Sequence, residues 1–226
     1  NALRDIQNGQ GGFVFINGPA GVGKTTLTRE ALRRSFDANK AKVFFGNCQS
    51  SDLERPYSLW KQIFNVAAPL LARRADVSQE WLNHLLPLVP DLSLLRPGLI
   101  QPTRPDSAEL RAALRQGLYA LAETQPLLLV IEDAHWMDTD SLEFLSNMAQ
   151  ASSALPILFL VTHRIEESLL ALLEIKRNLR RKRHAIDLSL QTFTVSETRL
   201  FLETALGAAA FSPEAVQDIV QYAQGL

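Results

Sequence analysis

Residues 18–25 carry the clearest chemical signal in this chain. They read GPAGVGKT, which matches the P-loop pattern G-x-x-x-x-G-K-[ST] at every fixed position. The glycines let backbone N–H groups approach a polyphosphate closely. The charge of Lys24 suits the β- and γ-phosphates, and the hydroxyl of Thr25 suits Mg²⁺. The pattern therefore predicts a site for a nucleotide polyphosphate together with magnesium.

The segments on either side of this loop are of the types that a phosphate-binding turn needs. Residues 12–16 form a short apolar, β-type segment, and residues 26–32 form a helix-type segment. A glycine-rich turn between a strand and a helix directs backbone N–H groups at phosphate. The candidate nucleotide-binding residues are Gly18, Pro19, Ala20, Gly21, Val22, Gly23, Lys24, Thr25 and Thr26.

A second motif lies at residues 127–138, which read LLLVIEDAHWMD. An apolar segment ends there in two consecutive acids, Glu132 and Asp133. Beside a P-loop, one carboxylate holds Mg²⁺ and the other orients or deprotonates the attacking water. Their order along the strand assigns the metal to Glu132 and the base role to Asp133. Because this order reverses the usual Asp-then-Glu, the exchanged assignment stays open and hydrolysis is expected to be slow.

Three residues near these motifs complete the candidate site. His135 either senses phosphate or positions water, or it is a structural hydrogen-bonding residue, whereas Trp136 is expected to pack in the core. Arg164 follows the apolar segment 156–162 in the string Thr-His-Arg. Its forked donors suit a γ-phosphate at the carboxyl edge of the sheet. The alternative is a surface arginine paired with a carboxylate.

A basic run occupies residues 176–184. It contains Lys176, Arg177, Arg180, Arg181, Lys182 and Arg183. Such a run can dock nucleic acid, an acidic partner or another subunit, but it is more often a solvated face before an edge strand. No base-stacking aromatic residues are interleaved with it, which weakens the nucleic-acid interpretation.

Five apolar segments supply the elements that must position these residues, namely 13–16, 42–46, 127–131, 156–162 and 185–190. Helical patterns separate most of them, and this alternation predicts an α/β fold with a mostly parallel five-stranded sheet between helices. The two segments 127–131 and 157–161 are apolar throughout, as expected for central strands. The predicted class is therefore a P-loop nucleoside triphosphatase.

The remaining elements predict the domain organisation. Residues 50–125 form a long helical insertion after the second strand, with an irregular part at 91–105 and an N-cap at Asp106. Ser196 and Ser212 are the predicted caps of two further helices, and Gly225 is the predicted end of the second. Asp138, Asp140 and Ser141 are expected to cap the helix at 142–150. We expect a P-loop α/β domain at residues 1–191 and the beginning of a truncated helical lid domain at 192–226.

Composition narrows the function classes. Of 226 residues, 46% are hydrophobic and 21% are charged, and the net charge of −1 gives no global attraction to nucleic acid or membranes. The single cysteine, Cys48, excludes an intramolecular disulfide and suggests a packed thiol in a reducing cytoplasm. There is no signal-peptide pattern and no apolar run long enough to span a bilayer. Both ends are expected to be cuts from a longer protein.

The motifs resemble a known family. GPAGVGKT, the strand with EDAHWMD and the strand ending in THR resemble the ATPase domain of signal-transduction ATPases with numerous domains (STAND). More narrowly, they are similar to the AAA-type modules of large LuxR-type transcription regulators and of some multidomain bacterial cyclases and kinases. The similarity covers nearly the whole chain, including Asn47-Cys48-Gln49 and Arg55-Pro56-Tyr57.

This resemblance implies a regulatory switch that binds ATP or ADP with Mg²⁺. ADP holds a closed monomer, ATP permits an open state that self-associates, and slow hydrolysis resets it. By position, Glu132 and Asp133 form the acidic pair and Arg164 is the sensor. The implied partners are the other domains of the longer chain, with DNA contacted only through one of them. The family's glycine-x-proline motif, which contacts the base, is expected about where the sequence stops, so the base contacts are not assigned.

Three other functions stay open. A motor or loader ATPase acting on nucleic acid or protein would need an arginine supplied in trans, for which Arg180, Arg181 and Arg183 are candidates. A small-molecule kinase also uses a P-loop, but the acidic pair favours activation of water. A nucleotide-binding scaffold without turnover fits the reversed order of the two acids.

Overall fold

A five-stranded parallel sheet forms the centre of the fold. The computed structural model describes residues 10–35, 41–104, 106–151, 155–167, 169–182, 184–206 and 211–223. The strands are β1 (Gly12–Asn17), β2 (Lys42–Asn47), β3 (Leu127–Glu132), β4 (Ile157–His163) and β5 (Ala185–Ser189). Their order is β2-β3-β4-β1-β5, and every neighbouring pair is parallel. The predicted fold class is confirmed.

The sheet has an apolar core on each face. Alternate residues of the strands point to opposite faces. Phe13, Phe15 and Phe159 belong to the larger cluster on one face, whereas Val14 and Leu160 belong to the smaller cluster on the other. β4 is buried along its whole length, as expected for a strand between two neighbours with both faces covered.

Nine helices surround the sheet in the described part of the chain. They are α1 (Lys24–Ser35), α2 (Ser58–Ala72), α3 (Gln79–Asn83), α4 (Leu92–Leu95), α5 (Ser107–Thr124), α6 (Thr139–Ala151), α7 (Leu170–Arg181), α8 (Val195–Leu206) and α9 (Pro213–Ala223). Buried side chains of α2, α5, α6 and α7 join the larger core, while Leu32 of α1 joins the smaller one. Among these helices, none combines the length and the apolar composition that crossing a membrane requires.

The insertion between β2 and β3 packs tightly on the sheet. α2 buries seven of its residues, among them Leu59, Trp60 and Ile63. A Cβ on Gly46 of β2 would lie 2.3 Å from a methyl group of Leu59, so only glycine permits this close approach of helix and strand. The expectation of an irregular connection at 91–105 is partly wrong, because a one-turn helix, α4, forms within it.

Capping residues begin several of the helices, and one predicted cap was wrong. Asp106 accepts a hydrogen bond from the backbone N–H of Ala108, and Ser212 accepts one from Ala215, as predicted. The cap of α8 is Thr194 rather than Ser196. Thr194 and Glu197 bond reciprocally to each other's backbone N–H groups, which is a capping box. Gly225, the predicted end of α9, lies outside the described residues.

One edge of the sheet is closed at its carboxyl end by a side chain of the insertion. β2 is an edge strand. The side-chain amide of Gln62 in α2 accepts a hydrogen bond from the backbone N–H of Asn47 at 3.0 Å and donates one to its carbonyl at 2.9 Å. This amide pairs with the last residue of β2 in the way that a neighbouring strand would.

Candidate nucleotide site

The P-loop connects the end of β1 to the beginning of α1. Gly23 has φ +93°, which disfavours any side chain, and a Cβ there would meet no atom within 4 Å. A Cβ on Gly18 would lie only 2.7 Å from the carbonyl oxygen of Leu190, in the segment that leaves β5. The glycines therefore serve different purposes, since Gly23 permits the turn and Gly18 permits a close packing contact.

Lys24 lies inside this loop. Its Nζ donates to the carbonyl oxygens of Gly18 at 3.0 Å and Pro19 at 2.7 Å, and the residue is only 7% exposed. Burial lowers the pKa of Lys24, and the charge of Asp133 opposes that effect. Thr25 follows in the first turn of α1 and is half-buried, whereas Ala20, Gly21 and Thr26 are exposed.

The two acids follow one another at the carboxyl end of β3 but have different surroundings. Glu132 ends the strand, and its Oε1 is buried without a hydrogen-bond partner. Asp133 has a left-handed backbone with φ 53°, and its N–H donates to the hydroxyl of Thr162 on β4 at 3.1 Å. Of the two, Asp133 is the acid whose charge acts on Lys24. The acidic pair thus offers one unsatisfied acceptor and one carboxylate near the lysine.

His135 is fully buried directly after this pair. Its side chain is 0% exposed, and its Nε2 lies 3.5 Å from Oε2 of Glu167. Neither ring nitrogen makes a hydrogen bond within the described structure. Burial lowers the pKa of His135, so the ring is neutral near pH 7. Trp136 is partly buried against the larger core, as predicted.

Arg164 lies at the carboxyl end of β4, the strand that pairs with β1, which is the position predicted from the sequence. Its Nη1 donates to Oε1 of Glu167 at 2.7 Å, and about a third of the arginine side chain is exposed. The carboxylate partner that the sequence left as an alternative is therefore present. Glu167 itself was missed, although an acid three residues after an arginine is a recognisable local signal.

Asp138 has a larger role than the helix cap that the sequence predicted. Its Oδ1 accepts from the backbone N–H of Ser141 at 2.8 Å, which confirms the cap of α6. The same carboxylate also binds backbone N–H groups at the beginning of α2. The insertion is thereby attached to the loop that follows the acidic pair.

The basic run is partly neutralised by one acid of β5. Asp187 lies 2.8 Å from Nζ of Lys176 and 3.4 Å from Nη1 of Arg180, and it accepts a hydrogen bond from Asn17 at 2.7 Å. Asn17 is the last residue of β1, so these charges support the strand that leads into the P-loop. Arg183 lies outside the described residues.

Comparison with known families identifies the type of domain. Residues 1–161 match the family model of the AAA ATPase domain. The chain belongs to this family. As an AAA ATPase domain it binds nucleotide. Its P-loop follows β1 and its acidic pair lies at the end of β3, both at the carboxyl edge of the parallel sheet. An uncharacterized protein of Rhizobium meliloti (strain 1021) is 28% identical over 69% of this chain, which spans only 16% of that protein.

Solved structures share the fold of this AAA ATPase domain. Cdc6p from Pyrobaculum aerophilum has a TM-score of 0.55 at 17% identity, and covers 96% of this chain and 50% of its own. ORC1 from Aeropyrum pernix, solved in complex with DNA, has a TM-score of 0.52 at 17% identity, covering 90% and 46%. A STAND protein with a tetratricopeptide repeat sensor from Pyrococcus horikoshii has a TM-score of 0.50 at 14% identity, covering 99% and 27%. The chain thus spans half or less of each structure, and the likeness concerns the fold.

Proposed function

We propose that this AAA ATPase domain is a regulatory switch that binds ATP and hydrolyses it slowly. The observation that carries the proposal is the set of charges around Lys24. The ammonium group interacts electrostatically with Asp133, Arg164, Glu166 and Glu167. Because the carboxyl ends of parallel strands meet at one edge of the sheet, the P-loop lysine, the acid that follows β3 and the arginine that follows β4 would act at one site, as phosphoryl transfer requires.

The P-loop and the first acid of the pair are assigned to the phosphates and to the metal ion. Backbone N–H groups of residues 18–25 and the ammonium of Lys24 would hold the phosphates. Thr25 and Glu132 would hold Mg²⁺, and the buried, unbonded Oε1 of Glu132 fits a magnesium ligand or its bound water. The ion would neutralise charge on the β- and γ-phosphates.

Hydrolysis is assigned to the second acid. The charge of Asp133 acts on Lys24, and we assign to Asp133 the orientation or deprotonation of the attacking water. Arg164, at the carboxyl end of β4, would bind the γ-phosphate through its forked donors. The reversed order of Glu132 and Asp133 supports slow turnover.

A switch requires two conformational states that bind the nucleotide with different affinities. A nucleotide can shift a conformational equilibrium only by as much as it binds the two states unequally. We propose that ADP favours a closed monomer and that ATP favours an open state that self-associates, within a longer bacterial signalling protein or LuxR-type transcription regulator. The STAND protein among the structures of similar fold supports this proposal.

The test is calorimetric titration of the chain with ATP and ADP, with and without Mg²⁺, beside Lys24→Ala. Binding should be strong in the wild type and at least about tenfold weaker in the variant, because a charge-assisted phosphate contact is lost. Equal affinity in the variant would overturn the phosphate-site assignment. A preference of the wild type for ADP would support the resting state of a switch.

A motor or loader ATPase is the second candidate, since ORC1, whose fold is similar, was solved in complex with DNA. Steady-state ATP hydrolysis measured with and without duplex and single-stranded DNA separates the two functions. A switch should show the same slow rate in both conditions. Strong stimulation by DNA would favour the motor, and binding without any hydrolysis would favour a scaffold.

A further inference from the structure

Glu167 lies between two residues of the candidate site. Its Oε1 accepts a hydrogen bond from Nη1 of Arg164 at 2.7 Å, and its Oε2 lies 3.5 Å from Nε2 of His135. Arg164 is at the end of β4, while His135 follows the acidic pair at the end of β3. One carboxylate therefore lies against groups that follow the ends of two neighbouring strands, β3 and β4.

The pairing of Arg164 with Glu167 is chemically equivalent to the pairing expected with phosphate. A guanidinium group binds carboxylate and phosphate oxygens through the same N–H donors. Nη1 of Arg164 is already engaged by a carboxylate at hydrogen-bond distance. A γ-phosphate that recruits this donor must displace Glu167, so the two anions compete for it.

His135 lies beside the competing carboxylate. The histidine side chain is 0% exposed, and burial lowers its pKa, so it faces Glu167 as a neutral ring fixed by its surroundings. Oε2 of Glu167 contacts this ring while Oε1 accepts from the arginine. The hydrogen bond to Arg164 therefore positions one oxygen of Glu167, the other oxygen lies beside the buried ring, and the glutamate side chain is 40% exposed.

We propose that Glu167 determines how well the site distinguishes ATP from ADP, by holding Arg164 until a γ-phosphate takes its place. The proposal rests on the function proposed above, in which Arg164 binds the γ-phosphate. ATP binding must break the ion pair, whereas ADP has no γ-phosphate to take the arginine and leaves the pair intact. Glu167 thus lowers the affinity for ATP without an equal effect on ADP, which favours the ADP-bound state.

Glu166 provides a matched control. It is the adjacent residue with the same charge, and its charge also acts on Lys24. The hydrogen bond of Arg164 and the close approach of His135 are both made by Glu167. Replacing either acid by glutamine removes one negative charge near the phosphates, which by itself favours the more highly charged ATP. The difference between the two variants isolates the effect of the ion pair.

The experiment is calorimetric titration of wild type, Glu167→Gln and Glu166→Gln with ATP and with ADP in the presence of Mg²⁺. Partly exposed ion pairs are weak, so the ratio of the ADP Kd to the ATP Kd should rise about threefold to fivefold more in Glu167→Gln than in Glu166→Gln. Equal ratios in the two variants, or a lower ratio in Glu167→Gln, would overturn the proposal. Thermal unfolding of each variant checks that the fold is retained.

A double-mutant cycle shows whether Glu167 acts through Arg164. In an Arg164→Gln background, Glu167→Gln should no longer change the ratio relative to Glu166→Gln. Persistence of the change in that background would contradict the proposed competition. If the wild type binds ATP through Lys24 but the two glutamine variants are alike, only this inference fails. If binding does not depend on Lys24, the proposed function fails with it.

Discussion

Tyr57 and Asp138 are joined by a buried hydrogen bond, in which the backbone N–H of Tyr57 donates to Oδ1 of Asp138 at 3.0 Å. Oδ2 of the same carboxylate accepts from the backbone N–H of Ser58 at 3.2 Å and from its hydroxyl at 3.3 Å. Together with the bond from Ser141, one side chain satisfies the first turns of both α2 and α6. The insertion and the segment after the acidic pair therefore share a single buried anchor.

Asp138→Ala should decrease the free energy of unfolding by about 2–4 kcal/mol. The substitution removes two helix caps, each worth about 1 kcal/mol, and leaves buried N–H groups without an acceptor. Urea denaturation followed by circular dichroism measures the effect. Asp140→Ala, at the nearby first turn of α6, is the control and should cost about 0.5 kcal/mol or less. Similar losses in the two variants would contradict the anchoring role of Asp138.

The hydrogen bonds of Asp138 show which contacts can be predicted from the sequence and which cannot. The bond from Ser141 is local, so the cap of α6 could be predicted. The bonds from Tyr57 and Ser58 join positions 81 and 80 residues apart, and no local pattern indicates them. The same reason explains Lys176 and Asp187, whose pairing depends on how α7 packs beside β5.

The P-loop and the acidic strand could be found because their chemistry depends on fixed local spacing. The five strands could be predicted because each is a short, mostly apolar run, which is also a local pattern. The error at Ser196 arose because a serine precedes a glutamate there, whereas the capping box needs a spacing of three residues, which Thr194 and Glu197 provide. His135 could be noticed from the sequence, but its carboxylate neighbour Glu167 follows from the fold.

Asp133→Asn should retain ATP binding and lower the rate of hydrolysis about 100-fold or more, because an amide cannot accept a proton from water. Glu132→Gln should instead weaken the Mg²⁺-dependent part of ATP binding, because the amide loses the charge that a magnesium ligand supplies. Single-turnover hydrolysis and calorimetry with and without Mg²⁺ measure the two effects. The opposite pattern would mean that the roles of Glu132 and Asp133 are exchanged.

Gly18→Ala should weaken ATP binding at least about tenfold and lower the free energy of unfolding by about 1–3 kcal/mol. The new Cβ would lie 2.7 Å from the carbonyl of Leu190, so either the loop or the segment after β5 must shift. Gly98→Ala is the control, because Gly98 has φ +91° but lies outside the site. The control should lose stability and keep its ATP affinity. Normal ATP binding by Gly18→Ala would show that this contact is not needed.

Stability should fall as the pH decreases from about 7 to 5.5. Burial lowers the pKa values of His135 and His163 below the ordinary value of 6.5. The unfolded chain therefore binds protons at a pH where the folded chain does not, and stability rises with pH through this window. The exposed acids with lowered pKa values, Asp76, Glu197 and Glu214, titrate below it.

Urea unfolding at several pH values between 5.5 and 7.5 measures this dependence. The double variant His135→Asn/His163→Asn should be less stable than the wild type at pH 7.5 but should show a flatter pH dependence. An unchanged slope in the double variant would mean that other groups bind the protons.

The side-chain amide of Gln62 affects the tendency of the protein to aggregate. Exposed strand edges recruit other strands through their unpaired amides, and this recruitment leads to aggregation. By occupying the N–H and carbonyl of Asn47, the side chain of Gln62 takes the place of a neighbouring strand at the carboxyl end of β2. Phe45 on the same strand is 53% exposed. Without Gln62, this apolar side chain and the unpaired backbone of Asn47 would together form a surface on which another strand could pair. Gln62 thus protects the carboxyl end of this edge strand from pairing with a strand of another molecule.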